Sequence, residues 1–167
     1  MIIISACLLG RNVKYSGGNN LTPWLAAYYD PALFLPLCPE CIARLPIPRP
    51  PVEIRNGTGT NVLAGSARVY NKDQEDVTRH FLYGAATTLH LARNHQVSAA
   101  ILKEGSPSCG VTRIYDGTFS GRRIPGQGVT AALFQQYGIP LYSEQTLTKS
   151  ILRELIRREK ELQNPKI

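Results

Sequence analysis

Three of the four cysteines in this chain lie at the end of short apolar runs or in the loops that follow them, with proline or glycine nearby. Cys7 closes an aliphatic run, Cys38 precedes Pro39 and Cys109 precedes Gly110. Three thiolates without a fourth equivalent ligand suit an iron–sulfur cluster with one open iron, or a zinc ion that keeps one position for water or substrate. Each cysteine could instead be a small buried hydrophobic residue, as many free cysteines are. Three cysteines placed alike favour a shared site.

Hydrophobic periodicity predicts the elements that must position these thiols. Short aliphatic runs predict strands over residues 2–6, 33–37, 98–103 and 139–142. Apolar residues at helical spacing predict helices over residues 76–94, 128–137 and 145–163. Residues 57–60 and 70–74 are predicted loops, and the proline-rich residues 45–51 a stiff extended segment packed on the domain. We therefore expect an α/β fold, with a mainly parallel sheet flanked by helices.

The predicted sheet would gather the cysteines at one edge. In an open parallel sheet, ligands bind outside the carboxyl ends of the strands, where the loops converge. The first three predicted strands run into the loops that carry Cys7, Cys38 and Cys109. We therefore expect all three cysteine loops at the carboxyl ends of the strands.

Length and composition bound the class of protein. With 167 residues, 43% of them hydrophobic and 19% charged, the chain predicts one globular domain over residues 1–167 and excludes a disordered protein. No apolar run approaches the roughly 18 residues of a membrane span, and the opening residues lack a basic leader, so we expect a cytoplasmic protein. The net charge of +7 is compatible with an anionic substrate or with nucleic acid and identifies neither.

Cys38 and Cys41 form a C-x-x-C, which also occurs in thioredoxin-like redox pairs. A redox pair needs a thiol of lowered pKa at the start of a helix, and the prolines from Pro46 onward forbid a long helix here. The redox interpretation is therefore a minor alternative. The three histidines, predicted to lie on the long helix without an i,i+4 ligand pair, are interpreted as surface or packing residues.

Polar residues beside the cysteines are candidates for proton transfer. Glu40 is a candidate general acid or base, with pairing to Arg49 as the structural alternative. Ser106 and Ser108 could hold a substrate or relay a proton, or could only satisfy the loop backbone. Lys103 and Glu104 are expected to be an ordinary strand-end pair.

Several motifs together resemble the bacterial family that contains thiouracil desulfidases, formerly a domain of unknown function. They extend from Ser5 to Glu144 and comprise Ser-Ala-Cys-Leu-Leu-Gly at 5–10, Cys-Pro-Glu at 38–40, Leu-Pro-Ile-Pro-Arg-Pro-Pro with Glu-Ile at 45–54, Asp-Val-Thr at 76–78, residues 103–110, Tyr-Asp-Gly-Thr-Phe at 115–119 and residues 126–132. The resemblance implies a 4Fe-4S cluster held by Cys7, Cys38 and Cys109, with the fourth iron free to take sulfur from a thiolated pyrimidine. Cys41 lies outside the family pattern, as a spare thiol or a competing ligand.

The implied activity is non-redox desulfuration of 4-thiouracil or a related thiobase or thionucleoside, with release of hydrosulfide. Glu40 and one of the serines Ser106 and Ser108 match the positions assigned to proton transfer. The family usually has aspartate where this chain has Ser16. The resemblance therefore implies the cluster more firmly than it implies the identity of the substrate. The alternative is a sulfur or metal carrier that binds a cluster or zinc without this catalysis. We expect a small-molecule partner; nucleic acid is possible but not favoured, and the sequence does not indicate an oligomeric state.

Overall fold

The computed structural model describes residues 1–164, so the last three residues of the predicted domain lie outside the described part. In chain order the strands are β1 (Ile2–Ser5), β2 (Phe34–Leu37), β3 (Val52–Arg55), β4 (Arg68–Asn71), β5 (Ala99–Leu102), β6 (Arg113–Tyr115), β7 (Arg123–Pro125) and β8 (Leu141–Ser143). The helices are α1 (Pro23–Ala26), α2 (Pro39–Ile42), α3 (Gly59–Leu63), α4 (Thr78–Asn94), α5 (Val129–Gln136) and α6 (Lys149–Gln163).

The centre of the molecule is a four-stranded sheet in the order β2-β1-β5-β8, and all its strand pairs are parallel. β1 and β5 are buried along their whole length, which is why their sequences are continuous apolar runs without alternation. β2 is an edge strand. Pro36 is tolerated there because an edge strand does not need every backbone donor.

Helices cover both faces of this sheet. Ile2 and Ile4 point to one face, where they pack with Leu152 of α6. Ile3 points to the other face and packs with Leu89 of α4 and Phe134 of α5. The alternation of side chains along β1 therefore divides the core into two layers, and the predicted α/β fold with a mainly parallel sheet is confirmed.

Two small antiparallel sheets were not predicted. β3 pairs with β4, and β6 pairs with β7. The predicted loops over 57–60 and 70–74 are wrong in part, because α3 begins at Gly59 and residues 70–71 belong to β4. These three- and four-residue strands are too short to show a period, and pairing across the chain stabilises them.

The major predicted elements have shifted ends. The helix predicted over 145–163 begins at Lys149, because the Thr148 hydroxyl caps it by accepting the Ile151 N–H at 3.2 Å. The helix predicted over 76–94 begins at Thr78, and His95 follows its last turn. Within residues 1–164, no helix is both long and apolar enough to cross a bilayer.

Candidate functional site

A cavity of about 370 Å³ opens at the carboxyl ends of β1, β2 and β5, and Cys7, Cys38 and Cys109 all line it. Cys7 lies in a short 3-10 helix directly after β1, and Cys38 follows β2 as the residue that precedes α2. Cys109 lies in the loop after β5. Three residues far apart in sequence are therefore brought to one edge of the sheet, as the strand assignments predicted.

Burial keeps the three thiols protonated. It raises the pKa of Cys109 to about 12, against hydrogen bonds from Ser5 and Ser108 that lower it. Burial also raises the pKa of Cys38 well above its ordinary range, although the backbone N–H of Cys41 lowers it. The charge of Cys109 further raises the pKa of Cys38, as neighbouring thiolates would do.

Cys7 responds to a different set of neighbours. Burial raises its pKa, and the Asn20 side chain and the Lys103 ammonium both lower it. The charge of Cys7 in turn raises the pKa of Cys109. Cys109 thus interacts electrostatically with both other thiols, and binding of a metal centre here would have to displace their protons.

The chemistry of this donor set fits an iron–sulfur cluster. Thiolates are the ligands of such clusters. The three cysteines line a cavity of about 370 Å³, which leaves space next to their side chains. Within residues 1–164, no three Cys, His, Asp or Glu side chains converge closely enough to surround a single metal ion. A cluster would make no such demand, because it contains several irons and the thiolates would not have to surround one of them.

The fourth thiol belongs to Cys41, which lies in α2 three residues after Cys38 and does not line the cavity. Its Sγ donates to the Val13 carbonyl at 3.8 Å, and the Cys38 Sγ approaches the same oxygen at 4.0 Å. α2 spans only residues 39–42, which agrees with the sequence argument that the prolines prevent a long helix after the C-x-x-C.

Glu40 lines the cavity and is paired with the buried Arg49. The Arg49 Nε donates to Glu40 Oε2 at 2.8 Å, and its second nitrogen lies 2.6 Å from the same oxygen. The pairing considered from sequence therefore exists, and it does not withdraw Glu40 from the cavity. Among the described residues, Glu40 Oε1 has no hydrogen-bond partner, so this oxygen can serve a ligand.

The two candidate serines have different surroundings. Ser106 lines the cavity, and its Oγ accepts the N–H groups of Ser108 and Cys109 at 3.1 and 3.0 Å. Ser108 is 2% exposed and does not line the cavity; its hydroxyl lies 2.9 Å from that of Thr130 on α5. Of these two serines, only Ser106 lines the cavity.

Glu104 holds the loop that carries Cys109. This carboxylate is 4% exposed, and its Oε1 accepts the N–H groups of Val111, Thr112 and Arg113, each at 3.0 Å. The expected Lys103–Glu104 pair is wrong. Lys103 forms its ion pair with Glu144 after β8, because the parallel neighbour brings that carboxylate to the strand end.

Several residues of the cavity were not predicted from the sequence. Glu53 lines the cavity and is 7% exposed, and its Oε2 accepts the Gly117 N–H at 2.8 Å. Tyr115 and Arg123 come from the β6–β7 hairpin, with the guanidinium 5.1 Å from the ring centre. The signal for Glu53 was a carboxylate between the apolar residues Val52 and Ile54 of β3; the hairpin left no comparable signal.

Some residues singled out in the sequence lie outside the cavity lining. Ser16 is exposed in a tight turn and does not line the cavity. The basic residues Lys14 and Arg123 line the cavity, whereas Arg11, Arg113 and Arg122 do not. The three histidines are exposed and none lines the cavity, which agrees with their interpretation as surface residues.

Comparisons with known proteins agree with this geometry. A protein-family model described as 2-thiouracil desulfurase matches residues 2–146. An uncharacterized protein of Bacillus subtilis (strain 168), YbbK, is 44% identical over 147 residues, covering 88% of this chain and 97% of its own. A solved structure described as the [4Fe-4S]-dependent thiouracil desulfidase TudS is 40% identical and superimposes with a TM-score of 0.79, covering 95% of this chain and 97% of its own.

Proposed function

Since the chain belongs to the 2-thiouracil desulfurase family, we propose that it is an iron–sulfur-dependent enzyme that removes sulfur from a thiolated pyrimidine without net electron transfer. The observation that carries this proposal is the joint placement of three thiols, Glu40 and Ser106 on one cavity. The likeness to the [4Fe-4S]-dependent TudS supports the choice of cofactor.

Cys7, Cys38 and Cys109 would hold a 4Fe-4S cluster. When bound, the cluster would supply a Lewis-acidic iron with affinity for the soft exocyclic sulfur of the substrate. In the reaction one carbon–sulfur bond breaks and one carbon–oxygen bond forms. Water provides the oxygen and sulfur leaves as hydrosulfide, so 4-thiouracil and water give uracil and hydrogen sulfide without an external reductant.

Glu40 would move the protons of this exchange. Its Oε1 is free of protein partners among the described residues, and Glu40 lines the cavity. A carboxylate in this position can take a proton from the attacking water and return it to the ring or to the departing sulfur. Oε2 is held by Arg49, which leaves a single oxygen for that role.

Ser106 would orient the pyrimidine. Its Oγ already accepts two backbone N–H groups, so its lone pairs are used and its own proton remains to be donated. A hydroxyl limited to donation in this way would recognise a carbonyl or ring-nitrogen acceptor on the base. Ser108 faces Thr130 and would contribute to the packing of the loop.

The occupant of the cavity would be a small thiobase or thionucleoside, and the enzyme a single cytoplasmic domain over residues 1–167. A cavity of about 370 Å³ is in the size range of small-molecule sites and far too small for a folded RNA. Lys14 and Arg123 give its rim positive charge, which tolerates an anionic substituent on the substrate.

The test is anaerobic reconstitution with iron and sulfide, followed by incubation with 4-thiouracil or 2-thiouracil and no reductant. We expect uracil and sulfide in equal amounts, with oxygen from labelled water in the uracil. Cys7→Ser should lose iron and activity. Cys41→Ser, the matched cysteine outside the cavity, should keep both.

A stoichiometric requirement for a reductant would overturn the non-redox mechanism. Cluster assembly with sulfide binding but no uracil from any thiobase would favour the sulfur carrier. A chain that binds zinc and no iron after anaerobic reconstitution would refute the proposed cofactor.

A further inference from the structure

Several side chains that line the cavity form ion pairs in the described structure. Among them, the side chain of Arg49 is the most deeply buried. Its side chain is 4% exposed and that of Glu40 is 14% exposed. All three nitrogens of the guanidinium have partners. Nε and Nη2 both contact Glu40 Oε2. Nη2 also donates to the Val13 carbonyl at 3.1 Å, and Nη1 donates to the Pro46 carbonyl at 3.2 Å.

These bonds fix the orientation of Glu40. Both contacts to Glu40 go to the same oxygen, so rotation of the carboxylate would break two charge-assisted bonds at once. The Val13 and Pro46 carbonyls also hold the guanidinium, and the Arg49 backbone N–H donates to the Tyr15 carbonyl at 2.8 Å. Arg49 is thus anchored to two separate segments before it contacts the carboxylate.

We propose that Arg49 is a positioning residue that acts through Glu40, keeping Oε2 occupied so that Oε1 alone faces the substrate. This inference rests on the proposed function of Glu40. The fork geometry requires arginine, since a lysine ammonium would offer a point charge that could bind either oxygen. A misplacement of about 1 Å at a reacting group costs roughly 100-fold in rate.

A double-mutant cycle on the cluster-loaded enzyme tests this inference, with kcat expressed per bound cluster. Glu40→Gln should lower kcat by roughly 10²- to 10⁴-fold. Arg49→Met should lower it by roughly 100-fold with little change in KM. The double variant should be no slower than Glu40→Gln alone, because Arg49 has no effect without the carboxylate. Arg68→Met, an ion-paired arginine on the exposed surface, serves as the matched control and should keep wild-type kcat.

Iron content and urea unfolding of the cluster-free chain provide readouts besides activity. A purely structural Arg49 would lower stability and iron content and leave kcat per cluster unchanged, which would overturn the proposal. Should Arg49→Met not fold, Arg49→Lys replaces it in the cycle, with the same expectation of a lowered kcat at unchanged KM.

The outcomes distinguish failure of the inference about Arg49 from failure of the proposed role of Glu40 and of the proposed function. Multiplying losses in the double variant would refute the role of Arg49 and leave the role of Glu40 intact. Full activity in Glu40→Gln would refute the proposed role of Glu40 and the inference with it. Absence of turnover by the wild-type enzyme would refute the proposed function.

Discussion

Replacing Glu104 with glutamine removes the charge that fastens the Cys109 loop to the end of β5. The carboxylate Oε1 accepts three N–H groups at 3.0 Å, from Val111, Thr112 and Arg113. A hydrogen bond to a charged group contributes about 1.5–3 kcal/mol, and one between neutral groups about 0.5–1.5 kcal/mol. A glutamine oxygen in the same place keeps three neutral bonds and loses about 1 kcal/mol from each. We therefore expect a loss of about 2–4 kcal/mol in the free energy of unfolding.

Urea denaturation of the cluster-free chain at pH 7 measures this loss. Glu161→Gln is the matched control, because Glu161 is exposed on α6 and pairs only with Arg157 in the described structure. That variant should change stability by less than about 0.5 kcal/mol. Because the loop carries Cys109, iron content after reconstitution should fall in Glu104→Gln and not in the control.

The pH dependence of the difference follows from the pKa of Glu104. Burial raises this pKa, but the backbone N–H donors of Arg113 and Thr112 and further hydrogen bonds outweigh burial and hold it below the ordinary value of 4.5. The unfolded chain therefore binds the proton first as pH falls. The contribution of Glu104 should be complete above pH 4.5 and should decrease as pH falls through the folded-state pKa. Equal stability of Glu104→Gln and wild type at pH 7, with full iron content, would refute the account of the loop.

Three further predictions concern Cys41, the serines and the core. Cys41→Ser should keep iron content and activity within about twofold; loss of the cluster would make Cys41 a ligand. Ser106→Ala should lower kcat by roughly 100-fold, as removal of a preorganised donor does. Ser108→Ala should instead cost about 1–3 kcal/mol in urea unfolding, because the buried Thr130 hydroxyl loses its partner; a larger kcat loss than in Ser106→Ala would reverse the assignment. Phe134→Ala, at a fully buried position between sheet and helices, should cost about 3–5 kcal/mol in the same assay, and a loss below 1 kcal/mol would contradict that position.

The central sheet could be predicted because its two inner strands, β1 and β5, are buried on both faces. The three isoleucines of β1 and the four residues of β5 are apolar runs without alternation, which is typical of strands covered on both faces. The parallel arrangement then puts the carboxyl ends of the strands at one edge. These two facts place Cys7 and Cys38 at that edge, and they place the start of the loop that carries Cys109 there; the contacts of Glu104 hold the rest of that loop.

Other features of the site depend on contacts between distant parts of the chain. Lys103 is adjacent in sequence to Glu104 but pairs with Glu144, 41 residues away, because β5 and β8 are neighbours in the sheet. Glu104 turns instead to the backbone of its own loop, where successive N–H groups converge. No periodicity encodes either choice.

The different surroundings of Ser106 and Ser108 could not be predicted from the sequence. The sequence determined that hydroxyls at 106 and 108 flank Pro107 next to a cysteine, and that Glu40 follows another cysteine. The tertiary structure decided that α5 presents Thr130 to Ser108, and that Ser106 lines the cavity whereas Ser108 does not. The local sequence sets which side-chain groups the loop contains. The directions of those groups depend on the helices and strands that pack against the loop, because an irregular loop has no periodicity of its own. Those helices and strands come from distant parts of the chain.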